Sequence, residues 1–139
     1  MTTELRDLYQ DLILDHGKQP RNFRTLQNAR MSEGRNPLCG DQVAVYVDLV
    51  NNVLEDVTFQ GVACAIATAS ASMMTQTVKG KSLSDVARLL DAFHLVVTRG
   101  LVPPDPELGD WGAFADARRF PSRVKCALLA WQTLRAALG

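Results

Sequence analysis

Asn36-Pro37-Leu38-Cys39-Gly40-Asp41 runs directly into Gln42-Val43-Ala44-Val45-Tyr46-Val47-Asp48-Leu49, and the reading of this join decides the fold. In the second half, Val43, Val45, Val47 and Leu49 alternate with Gln42, Ala44, Tyr46 and Asp48, the period-two pattern of a half-buried strand. Asn51-Asn52 follows, a turn pair that tolerates positive φ. Val53 to Phe59 reads as the return strand, with Val53, Glu55, Val57 and Phe59 on one face and Gly61 closing the hairpin. Cys39 lies just before the first strand and Cys64 just after the second, so an antiparallel hairpin delivers both thiols to the same end.

Outward from the hairpin the pattern turns helical. Leu5, Leu8, Tyr9, Leu12 and Ile13 share one face of an expected helix over residues 4 to 16, ended by Gly17 and Pro20. His16 at its end reads as a capping or surface histidine. Residues 18 to 23 read as a basic loop, and residues 25 to 35 as polar chain that can form a short edge strand. From Cys64 an alanine-rich run predicts a helix reaching Lys79-Gly80, its small residues suited to close packing. Ser82 with Asp85 predicts a capped helix over residues 83 to 98, with His94 beside its apolar stripe and Gly100 as its stop. Val102-Pro103-Pro104-Asp105-Pro106 is a loop, and residues 108 to 120 are expected to hold a short helical turn with Trp111 and Phe114 inward. Pro121 opens the last helix, which carries Cys126 near its start.

Composition narrows the function classes. At 139 residues, with 47% hydrophobic and 22% charged side chains, the chain is expected to form one packed domain over residues 1–139. Fifteen basic and fifteen acidic residues cancel, which gives no reason to expect nucleic acid or an anionic membrane as partner. No apolar run approaches the roughly 20 residues that span a bilayer, and the polar, acidic start does not resemble a secretory signal. A cytoplasmic protein is the expectation. Three cysteines is an odd count, unlike a secreted disulfide scaffold.

In a reducing compartment, scattered thiols are core residues, catalytic groups or metal ligands. Cysteine must be a thiolate to ligate metal or attack sulfur. Cys64 and Cys126 are expected at helix N-termini, where unpaired amides favour the anion, and Arg123 and Lys125 flank Cys126. With Asp41, the three cysteines form a four-ligand set of the kind that selects zinc or an iron–sulfur cluster over magnesium or calcium. The spacing is no zinc-finger pattern, and three unrelated buried cysteines beside a turn aspartate remain the competing reading. Arg118, Arg119, Arg123 and Lys125 are either a solvated face or a docking surface.

The motifs resemble the IscU/NifU N-terminal family of iron–sulfur cluster assembly proteins, most closely its SufU branch. The matching pieces are Leu8-Tyr9, Asp15-His16 and Pro20-Arg21-Asn22; Asn36-Pro37-x-Cys39-Gly40-Asp41; Gly61-x-x-Cys64-Ala65-Ile66 with Ala69-Ser70-Ala71-Ser72; and Arg123-Val124-Lys125-Cys126-Ala127 with Trp131. The resemblance implies an α+β fold, a small antiparallel β-sheet of about three strands packed against several helices. It implies metal binding by Cys39, Asp41, Cys64 and Cys126. It implies a pyridoxal-phosphate cysteine desulfurase of the SufS or IscS kind as sulfur-delivering partner.

In the SufU branch the metal is zinc and the cysteine at position 39 accepts persulfide sulfur, the activity of a zinc-dependent sulfurtransferase. In the scaffold branch the same set carries a 2Fe-2S cluster, passed to client or carrier proteins. Scaffold members carry histidine before the last cysteine and a Leu-Pro-Pro-Val-Lys segment just upstream. Here Lys125 and Arg119-Phe120-Pro121-Ser122-Arg123 stand in those places, and the segment from about Gly100 to Arg118 resembles the insertion of the SufU branch. A structural zinc-binding interaction module is the reading from another class.

Overall fold

The computed structural model describes residues 11, 13–37, 40–101, 112, 114–115 and 117–139. Three strands form an antiparallel sheet in the order β1-β2-β3: β1 spans Arg30–Asn36, β2 Asp41–Val50 and β3 Val53–Val62. Three helices follow: α1 spans Ala65–Val78, α2 Leu83–Arg99 and α3 Pro121–Leu138. Residues 13–18 are also helical. The α+β class is as expected, and β1 is the edge strand that the polar segment before Asn36 allowed.

The hairpin turns at Asn51 and Asn52, with φ of 52° and 63°, the left-handed pair that a two-residue turn matched to strand twist requires. Val43, Val45 and Val47 are buried as the alternation predicted. The return strand departs from prediction. A register shift between Asp48 and Leu49 adds one residue on one side of the ladder, and Leu54 is buried in place of Val53 and Glu55. Beyond the shift, Val57 and Phe59 return to the core face. A bulge reverses which residues point inward, and period-two reasoning does not anticipate it. Nor does Gly61 end the hairpin. It pairs with Val43 inside β3 at φ +152°, where a Cβ would overlap the Gln42 carbonyl.

One face of the sheet carries the core. α3 lies across β1 and β2, α1 packs on α3 and β3, and α2 closes against α3. The close approach of α3 to β1 depends on Gly34, where a Cβ would overlap Thr133 Oγ1 and press on Leu129 Cδ1 at 3.2 Å. Behind α3, Phe93 stacks on Trp131 with ring centroids 4.0 Å apart, and Phe114 meets Phe93 edge-on. Phe114 is inward as expected, whereas Trp111 lies outside the described residues. α2 has the Ser82 cap, its hydroxyl accepting from the Asp85 amide, and the left-handed Gly100 stop.

The N-terminal segment corrects two expectations. The helix runs through Gly17 rather than stopping there; residues 4–10 and 12 of the expected helix lie outside the described residues. His16 is buried, its Nδ1 2.7 Å from Ser72 Oγ on α1. The reason is long-range. Ser72 Oγ also accepts the Arg21 amide, Asn22 Nδ2 donates to Thr75 Oγ1, and residues 22 and 24 hydrogen-bond to Phe59 along the free edge of β3. The supposed loop is therefore laced onto α1 and the sheet, which draws His16 inside.

Candidate metal centre

Asp41 is the first residue of β2, paired with Asn36 across a turn in which the Gly40 amide donates to the Asn36 carbonyl at 2.9 Å. Gly40 takes a φ of +75°, so a residue without Cβ suits the turn. This places the Asp41 carboxylate at the end of the sheet where β3 hands over to α1. There Oδ1 accepts the Cys64 amide at 2.7 Å, and Oδ2 accepts the Cys126 thiol at 3.4 Å. Asp41 and Cys126 are buried, whereas Cys64 reaches solvent.

Cys64 is the N-cap of α1, and its Sγ accepts the Ala67 amide at 3.4 Å. The sulfur thus takes the place of the side-chain oxygen of an ordinary N-cap. Cys126 differs from expectation: α3 begins at Pro121, so Cys126 is a full turn inside the helix, beyond the reach of the terminal dipole. Its position is set by packing instead. Ser70 Oγ donates to the Ala127 carbonyl at 2.6 Å and accepts Trp131 Nε1–H at 3.0 Å, both buried, which pins α3 to α1 beside the thiol. Ser70 stands in the small-residue run noted in the sequence, but its polar role has no signal there.

One donor atom each from Asp41, Cys64 and Cys126 lies within 4.8 Å of the others. Tetrahedral bonds of about 2.0–2.3 Å set donors roughly 3.3–3.8 Å apart, and the Cys126 to Asp41 separation of 3.4 Å already falls in that range. Two soft sulfurs and a carboxylate fit zinc or an iron–sulfur cluster and suit magnesium or calcium poorly. Cys39, two residues before Asp41, lies outside the described residues. His94 is exposed on α2 and stands apart from this trio. Of the basic residues before Cys126, Arg123 stacks over the Phe120 ring at 4.4 Å and Arg118 donates to the Ala115 carbonyl, so both are engaged locally.

Comparison with known proteins agrees with this architecture. The sequence model of the NifU-like N-terminal domain matches residues 8–139. The chain is 37% identical over 136 residues to the iron–sulfur cluster assembly scaffold protein IscU of Streptococcus pyogenes serotype M1, covering 98% of this chain and 86% of that protein. It is equally 37% identical over 130 residues to the zinc-dependent sulfurtransferase SufU of Bacillus subtilis strain 168, covering 94% and 88%. The crystal structure of an iron–sulfur cluster assembly scaffold protein for the SUF system from Fervidobacterium islandicum AW-1 superposes with a TM-score of 0.86 at 32% identity, over 96% of this chain and 98% of that one. Among the described residues no helix is long and apolar enough to cross a membrane. The chain belongs to the NifU-like N-terminal domain family.

Proposed function

We propose that the chain acts in iron–sulfur cluster assembly as an acceptor and carrier of persulfide sulfur from a cysteine desulfurase, as a single domain in the cytoplasm. The observation that supports this best is the meeting of Asp41, Cys64 and Cys126 at one end of the sheet, with donor atoms within 4.8 Å, Asp41 standing two positions after Cys39 in the sequence. Cys39, Asp41, Cys64 and Cys126 would hold zinc at rest. Bound zinc keeps its sulfur ligands deprotonated at neutral pH. Cys39 is the acceptor. Its thiolate attacks the outer sulfur of the donor persulfide, a new S–S bond forms at Cys39 Sγ, the donor S–S bond breaks, and the donor cysteine leaves as thiolate. No oxidant or reductant enters.

Lys125, where scaffold members of the family carry histidine, favours this reading. A protonated lysine cannot ligate, and it offsets the negative charge of three thiolates and a carboxylate. The second reading, assembly of a 2Fe-2S cluster on the same residues as cargo for client or carrier proteins, has the support of the likeness to IscU, equal at 37% identity to the likeness to SufU. The test uses zinc-loaded protein, a cysteine desulfurase and cysteine, with persulfide located by mass spectrometry and desulfurase turnover followed. Persulfide on Cys39 with stimulated turnover is the expected result. Neither, with a cluster forming on added iron and sulfide, overturns it in favour of the scaffold reading. A Cys39→Ser variant that unfolds rather than merely losing sulfur acceptance indicates a structural zinc module.

A further inference from the structure

The two edges of the sheet are finished differently. Along β3, the Phe59 amide donates to the Asn22 carbonyl at 3.1 Å and its carbonyl accepts the Arg24 amide at 3.0 Å, so residues 22–24 cover that edge. Along β1, among the described residues, β2 is the single strand neighbour and the outer edge is open. In a ladder the N–H and C=O of one residue point to the same side, and the side alternates from residue to residue. Phe59 faces away from β2, so Gln60 bonds Ala44 and Thr58 bonds Tyr46, while Val43, Val45 and Val47 bond Gly34, Ser32 and Arg30. The amides and carbonyls of Met31, Glu33 and Arg35 therefore point out of the sheet. Their side chains lie on the sheet face opposite the buried Val43-Val45-Val47 face, and all three are exposed, Met31 to 48%. Neither Glu33 nor Arg35 takes part in an ion pair among the described residues. An open edge is a template for another strand. This one is self-complementary about Gly34: apolar Met31 and anionic Glu33 on one side, cationic Arg35 and apolar Pro37 on the other.

We propose that β1 pairs antiparallel with β1 of a second copy of this chain, about a two-fold axis through Gly34, joining the two sheets into one. In this register Glu33 lies opposite the partner's Arg35 and Arg35 opposite the partner's Glu33. Each of these pairs exchanges both backbone hydrogen bonds and sets opposite charges side by side. Met31 lies opposite the partner's Pro37, an apolar pair, and Pro37, which has no N–H to give, ends the ladder there. The charges select this register. Sliding by two positions, the step that keeps the outward groups facing each other, puts Glu33 against Glu33 or Arg35 against Arg35. The helices leave room for the joint. α3 lies over β1 and β2 alike, and strands stand about 4.8 Å apart. The two α3 helices therefore come about 10 Å apart, at the upper end of the separations at which helices pack. α3 runs along β1, with Leu138 by Arg30 and with Leu129 and Thr133 over Gly34. The symmetry sets the two helices antiparallel and brings each Lys125 beside the last turn of the other, where free carbonyls favour a cation. The candidate metal centre stays clear, because Cys64 follows β3, the strand farthest from the joint.

The test is sedimentation equilibrium of the full chain under reducing conditions, from low micromolar to submillimolar concentration, where a concentration-dependent dimer is expected. Glu33→Arg and Arg35→Glu, both at exposed positions, set like charges opposite each other twice and are each expected to weaken the dimer about tenfold or more. The double variant Glu33→Arg with Arg35→Glu restores both pairs and is expected to return within about threefold of the parent. An equimolar mixture of the two single variants is expected to form the mixed dimer, in which every facing pair is again of opposite charge. As concentration rises, amide exchange is expected to slow at Glu33 and Arg35 and to stay unchanged at Ser32 and Gly34, which already face β2. A chain that is monomeric throughout, a dimer that both single variants leave intact, or a double variant as weak as the single ones overturns the proposal. So does a dimer without slowed exchange at Glu33 and Arg35, which puts the contact on another face. Slowing at those two amides only when a cysteine desulfurase is added gives the edge to a strand of that partner and overturns it as well.

Discussion

Gly34→Ala sets strand preference against packing. In a strand interior, glycine is about 0.5–1 kcal/mol worse than alanine, so on backbone grounds the substitution should stabilise β1. Packing opposes it. The new Cβ would overlap Thr133 Oγ1 and sit 3.2 Å from Leu129 Cδ1 and 3.3 Å from Thr133 Cβ. Thr133 cannot swing away cheaply, because its hydroxyl donates to the Leu129 carbonyl at 2.7 Å inside a buried helix face. Overpacking of this kind costs about 1–3 kcal/mol, which exceeds the backbone gain. The expected net loss is about 1–2 kcal/mol, read as a lower urea midpoint at unchanged slope.

The second variant makes the cause testable. Thr133→Ala removes the overlapping oxygen while leaving Cβ, so Gly34→Ala in that background should recover at least about 1 kcal/mol, a coupling within the range seen for touching residues. Because α3 carries Cys126, Gly34→Ala alone should also weaken metal uptake, measured by competition with a chromophoric chelator. A stable Gly34→Ala, or strictly additive effects of the two substitutions, would refute the claim that this glycine sets the distance between α3 and the sheet.

Three further outcomes follow from the same contacts. Ser70→Ala leaves buried Trp131 Nε1–H without its acceptor and should cost about 1–3 kcal/mol in denaturant unfolding, with altered tryptophan fluorescence of the native state. Asp41→Ala strips the acceptor from the Cys64 amide and Cys126 thiol; the metal-free protein should lose about 1–3 kcal/mol, and chelator competition should show weakened metal binding as a separate effect. At Asp56, burial pushes the carboxyl up, but the hydrogen bond and charge of Arg24 together with Lys79 outweigh it and hold the carboxyl below its ordinary value. A lowered folded value adds stability above the unfolded pKa near 3.9 and loses it as pH falls through the folded one, so the Asp56→Asn penalty in thermal melts should be present at pH 7 and shrink below about pH 4.

What the sequence discloses and what it hides divide along the range of the interactions. The Asn51-Asn52 turn, the Val43-Val45-Val47 face, the Ser82 cap and the Gly100 stop are decided within a few residues, and all are where the pattern places them. The meeting of Asp41 with Cys64 also follows from local reading, because the hairpin returns the chain to its own start. His16, Ser70 and Gly34 were not legible. Each is defined by a partner 56, 57 or roughly 100 positions away, and no periodicity encodes a contact of that span. The bulge after Asp48 hid Leu54, since a one-residue offset exchanges the two faces. Pro121 marks the start of α3 in the sequence, and the five positions from it to Cys126 carry the thiol past the first turn.

That last displacement changes how the centre must operate. Cys64 Sγ accepts a helix amide at the start of α1, and Cys126 lies a turn inside α3, away from any helix terminus. As a neutral thiol Cys126 is satisfied by donating to Asp41 Oδ2, while the other oxygen, Oδ1, takes the Cys64 amide. Asp41 thus aligns both cysteines before any metal arrives, so little chain entropy remains to be lost on binding. Binding then requires the Cys126 proton to leave. Once it has gone, the thiolate and the carboxylate face each other at 3.4 Å, a buried like-charge contact that a cation between them relieves. Metal affinity should therefore fall steeply as pH drops, and Asp41→Asn should flatten that dependence, because the amide removes the repulsion along with the ligand. Proton release measured by calorimetry in buffers of different ionisation enthalpy reads this directly. Equal release in the parent protein and in Asp41→Asn would mean that Cys126 is deprotonated independently of the carboxylate beside it.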